Sequence, residues 1–168
     1  MVTRPTSEMR VMLDTSVLLS GIVWPRWPHE VLQHAVEGDY RLVLTPFLLA
    51  EARQKFQERF PTFAARFEET LASIPYEIVP NPTTADMRTH LGLIRDVNDL
   101  PIALAAIQSG VDYFISEDRD FTDRNQTTAL LHEQLSVLLS GTFLRVVMGW
   151  TSDELENVRR RAWPASTE

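Results

Sequence analysis

Residues 10–21 read Arg-Val-Met-Leu-Asp-Thr-Ser-Val-Leu-Leu-Ser-Gly, and this stretch decides the fold. Arg10–Asp14 is a short continuous apolar run ending on an acid, the pattern of a strand buried on both faces. Thr15–Gly21 then turns into a short helix or loop, which the Trp24-Pro25-Arg26-Trp27-Pro28 segment breaks. A buried strand running straight into a helical turn is how a βαβ unit begins.

Working outward, the same alternation repeats. His29–Glu37 places Val31, Leu32, Ala35 and Val36 at helical spacing, with Gly38 suited to the C-terminal cap. Arg41–Leu44 is a second apolar strand. Thr45-Pro46 offers an N-cap followed by proline at the first helical position, opening a helix through Arg59 with Leu48, Leu49, Ala52 and Phe56 inward. Thr62–Ser73 reads as a further helix, Tyr76–Val79 as a third strand and Ala85–Ile94 as a helical stretch. Leu100–Ser109 is apolar nearly all round, as a buried helix is, and Gly110 caps it before a fourth strand at Val111–Ser116. Beyond it the pattern predicts a helix near Thr128–Leu139, a fifth strand at Phe143–Met148 and a last helix at Ser152–Arg161. The expectation is an α/β fold: a three-layer α/β/α sandwich around a parallel sheet of about five strands. One domain is expected over 1–168, its core at about 9–150 and its C-terminal helix at 152–161.

Composition narrows the chemistry. The chain has no cysteine, which excludes disulfides and thiolate metal sites. The first ten residues hold no apolar core of a signal peptide, and no apolar run approaches the ~20 residues of a membrane span, so a cytoplasmic location is expected. The net charge of −7 argues against gripping nucleic acid mainly by neutralising phosphates. It leaves open an enzyme that meets phosphate through a bound cation, which inverts the local charge.

Parallel sheets bind ligands beyond the carboxyl ends of their strands, where the strand order reverses. Asp14 closes the first strand and Asp118 lies two residues past the fourth, so neighbouring strands would put both in one crevice. Asp99 stands at the entrance of the buried helix, and its reach depends on how that helix crosses the sheet. Each acid also has a plain structural reading: Asp14 and Asp99 as helix caps, Asp118 as a turn acid, Glu51 as a solvated flank. Together they describe an oxygen-rich cluster suited to Mg²⁺ or Mn²⁺. Other chemistries fit poorly. His29, His34, His90 and His132 are scattered, and there is no GxSxG elbow, Walker A motif or GxGxxG turn. Trp24 and Trp27 resemble a base-stacking pair, but packing of the loop over the core is the simpler reading.

Four segments resemble the successive motifs of PIN domains: V-M-L-D-T-S-V-L-L-S-G (11–21), L-A-E (49–51), R-D-V-N-D-L-P-I-A-L-A (95–105) and D-Y-F-I-S-E-D-R-D-F (112–121). The likeness runs over about residues 9–150, in the family's order. It implies a Mg²⁺- or Mn²⁺-dependent endoribonuclease that hydrolyses RNA phosphodiester bonds. By motif matching, Asp14, Glu51, Asp99 and Asp118 take the places of the catalytic, metal-holding quartet. Ser16, Asp96, Ser116 and Asp120 match auxiliary positions. The family includes VapC-type toxins, which makes a small antitoxin protein and a second copy of this chain candidate partners beside the RNA substrate. The resemblance departs at 122–142, an extended segment carrying a helix where compact members have a short turn. A haloacid-dehalogenase-like phosphatase would need a second acid where Ser16 stands. The alternative from another class is a catalytically silent PIN-like binding or assembly module.

Overall fold

The computed structural model describes residues 9–165. In chain order its elements are β1 (Arg10–Leu13), α1 (Thr15–Val23), α2 (Trp27–Val36), β2 (Arg41–Leu44), α3 (Pro46–Arg59), α4 (Ala64–Ala72), β3 (Tyr76–Ile78), α5 (Thr84–Thr89), α6 (Leu100–Ser109), β4 (Tyr113–Ile115), α7 (Arg119–Thr122), α8 (Ala129–Gln134), β5 (Val137–Leu138), α9 (Ser140–Val146) and α10 (Ser152–Arg159). The five strands form one all-parallel sheet in the order β3-β2-β1-β4-β5. Successive residues of a strand point to opposite faces. Val11, Met12 and Leu13, and likewise Leu42, Val43 and Leu44, are all fully buried, so both faces of the sheet centre are covered. The fold is therefore the expected three-layer α/β/α sandwich.

Local chemistry explains the elements that frame the site. Asp14 leaves β1 in an extended conformation and accepts from the Thr15 backbone amide at 2.8 Å, which starts α1 at once. Thr45 caps α3 through Leu48 N–H (3.0 Å), and Pro46 occupies a position that needs no intrahelical donor. A single 3-10 turn, Val97–Asp99, leads into α6. Leu100, Ile102, Ala103, Leu104, Ala105 and Ala106 are all buried, and Gly110 ends the helix at φ +67. That left-handed conformation favours glycine.

The carboxyl-terminal third differs from the sequence expectation. Phe143–Met148 is not the fifth strand; most of it lies in α9, and the strand is the two-residue β5 at Val137–Leu138. Ser140, Phe143 and Leu144 are buried while Val146 is exposed, the i, i+3, i+4 pattern of a helix hidden within a largely apolar run. β5 is defined by pairing with β4, through Phe114 N–H to the Ser136 carbonyl (2.9 Å) and Ser116 N–H to the Leu138 carbonyl (3.1 Å). Segment 122–142 therefore contains the fifth strand and does not precede it, and the helix expected over Thr128–Leu139 shortens to α8. The stretch expected to be helical over Ala85–Ile94 keeps only α5, and the last helix stops at Arg159.

Candidate functional site

The strand order reverses between β1 and β4, so the crevice lies at their carboxyl ends. Helices of a parallel α/β fold begin at that same edge, because each runs back antiparallel to the strand it follows. This is why Asp99, at the start of α6, and Glu51, in the second turn of α3, arrive beside Asp14 and Asp118. All four line one cleft of about 280 Å³, together with Thr15, Ser16, Leu19, Lys55 and Arg59.

Asp14 is the most enclosed of the acids, at 4% exposure. Its Oδ1 accepts from Thr15 N–H, and its Oδ2 accepts from the hydroxyls of Ser16 (3.0 Å) and Ser116 (2.8 Å). Ser116 Oγ in turn accepts from Asp118 N–H at 2.9 Å, and Ser16 Oγ from Glu117 N–H at 3.1 Å. Two serines thus tie the β1 acid to the chain leaving β4. Thr15 supplies a third tie by donating its hydroxyl to Glu51 Oε1 at 2.6 Å. Lys55 stands 3.8 Å from the same Glu51 oxygen, one helical turn on.

The electrostatics are unfavourable by construction. Burial pushes the Asp14 carboxyl up to about 6, the three hydrogen bonds offset part of that rise, and the charge on Asp118 adds to it. Burial also raises Asp99 to about 7, reinforced by the charges of Asp118, Asp14, Asp96 and Asp120. Among the described residues, none of Asp14, Asp99 and Asp118 has a basic partner within ion-pair distance. The donor set is entirely carboxylate and hydroxyl oxygen, the set a hard divalent cation takes. A cation there would relieve the repulsion that raises Asp99.

The plain structural readings coexist with this geometry for two acids. Asp14 caps α1, and Asp118 caps α7 by accepting from Asp120 N–H at 2.9 Å. Asp99 precedes α6 but its side chain caps nothing, and Glu51 faces the cleft with 23% of its side chain exposed. Of the auxiliary residues, Ser16 and Ser116 are in the cleft network, whereas Asp96 and Asp120 sit outside the cleft lining. Asp96, Asp99 and Asp120 do bring carboxylate oxygens within 4.8 Å of one another, but Arg95 donates twice to Asp120 Oδ1 and Asp96 accepts from Asn98 N–H. Thr15, Lys55 and Arg59 were not singled out from the sequence. Thr15 stood within the quoted D-T-S run, and Lys55, the single lysine, lies four residues after Glu51. The histidines are structural where they are packed: His29 Nδ1 meets the Gly21 carbonyl, and His34 links Asp39 to Trp150.

The model of the PIN domain family matches residues 10–120. The chain belongs to the PIN domain family. Two solved structures share this PIN fold. PAE2754 from Pyrobaculum aerophilum aligns with a TM-score of 0.58 at 15% identity, covering 84% of this chain and 97% of its own. VapBC2 from Rickettsia felis, bound to a DNA fragment from their promoter, aligns with a TM-score of 0.53 at 20% identity, covering 78% and 98%. No curated protein matches the sequence significantly. Among the described residues, no helix of this PIN protein is long and apolar enough to cross a membrane.

Proposed function

We propose that this PIN protein is a Mg²⁺- or Mn²⁺-dependent endoribonuclease whose cation is held by Asp14, Glu51, Asp99 and Asp118. One observation carries the reading: four carboxylates line a single cleft, and burial and mutual repulsion push Asp14 and Asp99 up to about 6 and about 7. Acids perturbed by burial and by one another in a cleft are candidates for a functional site. When bound, a divalent cation supplies the positive charge that activates water and neutralises a phosphodiester.

The chain's own residues do the rest. Ser16, Ser116 and Thr15 N–H fix the Asp14 carboxylate, so its charge is preorganised and costs no rearrangement during the reaction. The Thr15 hydroxyl orients Glu51 in the same way. Lys55 and Arg59, on the cleft wall, are placed to meet the phosphates flanking the scissile bond. In-line hydrolysis there leaves a 5′ phosphate and a 3′ hydroxyl. The likeness to a VapBC complex supports a further part of the proposal, that the chain works as a toxin restrained by a small antitoxin.

The test is cleavage of a mixed RNA pool with Mg²⁺ or Mn²⁺, beside EDTA and Asp14→Asn controls. Cleavage is expected only with metal and an intact Asp14. Cleavage that survives EDTA or the substitution overturns the mechanism.

A further inference from the structure

A second cavity, of about 320 Å³, lies beside the acidic cleft and is lined by Ser20, Trp24, Arg26, Trp27, Glu117 and Arg159 among others. The two abut along the chain at two points. Leu19 lines the cleft and Ser20 the cavity on consecutive positions of α1, and Asp118 and Glu117 do the same after β4. We propose that this cavity is a base-binding subsite for single-stranded RNA, in which Trp24 stacks an unpaired base next to the scissile phosphate and Glu117 selects bases carrying an amino group. The proposal rests on the nuclease reading above.

The two tryptophans of the loop have different situations. Trp27 is committed to packing: its Nε1 donates to the Leu155 carbonyl at 2.9 Å, and its ring leaves no room for a Cβ at Gly141, which would come within 2.8 Å. Trp24 is 40% exposed, a cost for so large an apolar ring. Phe60 meets it at an interplanar angle of 81° and a centroid distance of 5.7 Å, which covers at most one indole face. An exposed aromatic ring beside cations is the usual platform for an unpaired base.

Charge complements the aromatic ring. In a chain of net charge −7, Lys55 and Arg59 wall the cleft, and Arg26 and Arg159 wall the cavity. Lys55 stands beside Glu51, Arg159 beside Glu156, and Arg26 donates from Nε to the Arg161 carbonyl, so these side chains are held at the two hollows where consecutive phosphates would meet them. The volume is at the small end of ligand pockets, suited to one ring system and not to a folded partner. Glu117 is already oriented, since its Oε1 accepts from Ser140 N–H at 3.2 Å. Among the described residues its Oε2 has no hydrogen-bond partner. A carboxylate accepts from the exocyclic amine of cytosine or adenine, and from two parallel donors of guanine. Uracil offers one N–H between two carbonyl oxygens, which repel a carboxylate. The expected preference is guanine, then cytosine and adenine, then uracil.

The test has two arms. In the first, a randomised single-stranded RNA library is cut with Mn²⁺ and the new ends are sequenced, with KM measured on one preferred oligonucleotide. Amino-bearing bases should be enriched at one position beside the cut, and Glu117→Gln should erase the bias against uracil. Trp24→Ala should raise KM by about tenfold, more than it lowers kcat, with Trp24→Phe restoring most of the loss. In the second arm, binding of a fluorescent eight-nucleotide RNA is followed by anisotropy in EDTA, where Trp24→Ala or the exposed Arg26→Met should weaken Kd by about tenfold. Cleavage without positional bias, or with Trp24→Ala unchanged in KM and Kd, overturns the subsite and leaves the nuclease standing. Trp24-dependent binding without any cleavage supports the subsite and overturns the nuclease. Neither binding nor cleavage overturns both.

Discussion

The two ends of the same central strand treat acids in opposite ways. At the amino end of β1, Arg10 donates to both carboxylate oxygens of Glu77, at 3.1 and 2.6 Å, and also to the Ser109 carbonyl. Its backbone N–H donates to Asp112 Oδ2. The Arg10 guanidinium holds Glu77 below the usual carboxylate range. At the carboxyl end, four residues on, Asp14 is buried with no basic partner among the described residues and is pushed up to about 6. One end satisfies its acids and ties β1 to β3 across β2; the other concentrates acids that repel each other. The contrast teaches that a buried charge becomes a candidate functional signal where, among the described residues, no cation pairs with it.

The severest way to break this comparison is Asp14→Asn, which keeps the shape and removes the charge. Metal-dependent RNA cleavage should fall by about 10³-fold, the scale of losing a preorganised electrostatic group. In EDTA the same variant should melt higher than the parent, because an unfavourable buried charge has gone. A lower melting temperature would mean that the hydrogen bonds from Ser16 and Ser116 outweigh the burial cost.

Titration sharpens the contrast. Asp14 and Asp99 have folded values raised to about 6 and about 7 from 3.8, so the folded state holds protons that the unfolded chain has released. Metal-free stability should therefore rise as pH falls from about 7 toward 4, by roughly 3 kcal/mol from Asp14 alone. Glu77 is lowered from 4.5, so its contribution is present above that value and lost as pH falls through its folded one. Thermal melts from pH 8 to 3.5 in EDTA should show a maximum near the crossover. Mg²⁺ should flatten the upper limb, since it competes with protons for the same oxygens. A profile flat from pH 8 to 5 in EDTA would contradict the buried uncompensated charge.

A smaller effect is expected at the hydroxyl that joins the strands. Ser116→Ala removes a donor to Asp14 and the acceptor of Asp118 N–H, and should lower kcat by about tenfold with the fold retained. The smallest effect belongs to the other end: Arg10→Met should cost about 1–2 kcal/mol in denaturant melts and leave cleavage rates alone. A loss of cleavage in that variant would show that the two ends are coupled.

Much of the fold is legible in the sequence. Continuous apolar runs at Val11–Leu13 and Leu42–Leu44 identify strands covered on both faces, and Thr45-Pro46 marks a helix start by local hydrogen bonding. β5 was not legible, because two residues carry no periodicity and only pairing with β4 defines them. Phe143–Met148 misled for the converse reason: its apolar residues suggest a strand, while the pattern that makes most of it a helix includes Ser140, outside the apolar run.

The site divides along the same line. Asp14 and Asp118 follow from strand ends, and local sequence governs them because a strand must deliver its next residue to the sheet's edge. Asp99 and Glu51 could be named only by likeness to a family, since their distance from Asp14 is set by how α6 and α3 pack. Tertiary structure alone decided that Thr15 holds Glu51, that Arg95 engages Asp120, and that Trp24 stays open while Trp27 is spent on packing. The acidic residues were written in the sequence; the burial that raises Asp14 and Asp99, and the repulsion that adds to it, exist only once folding has brought them together.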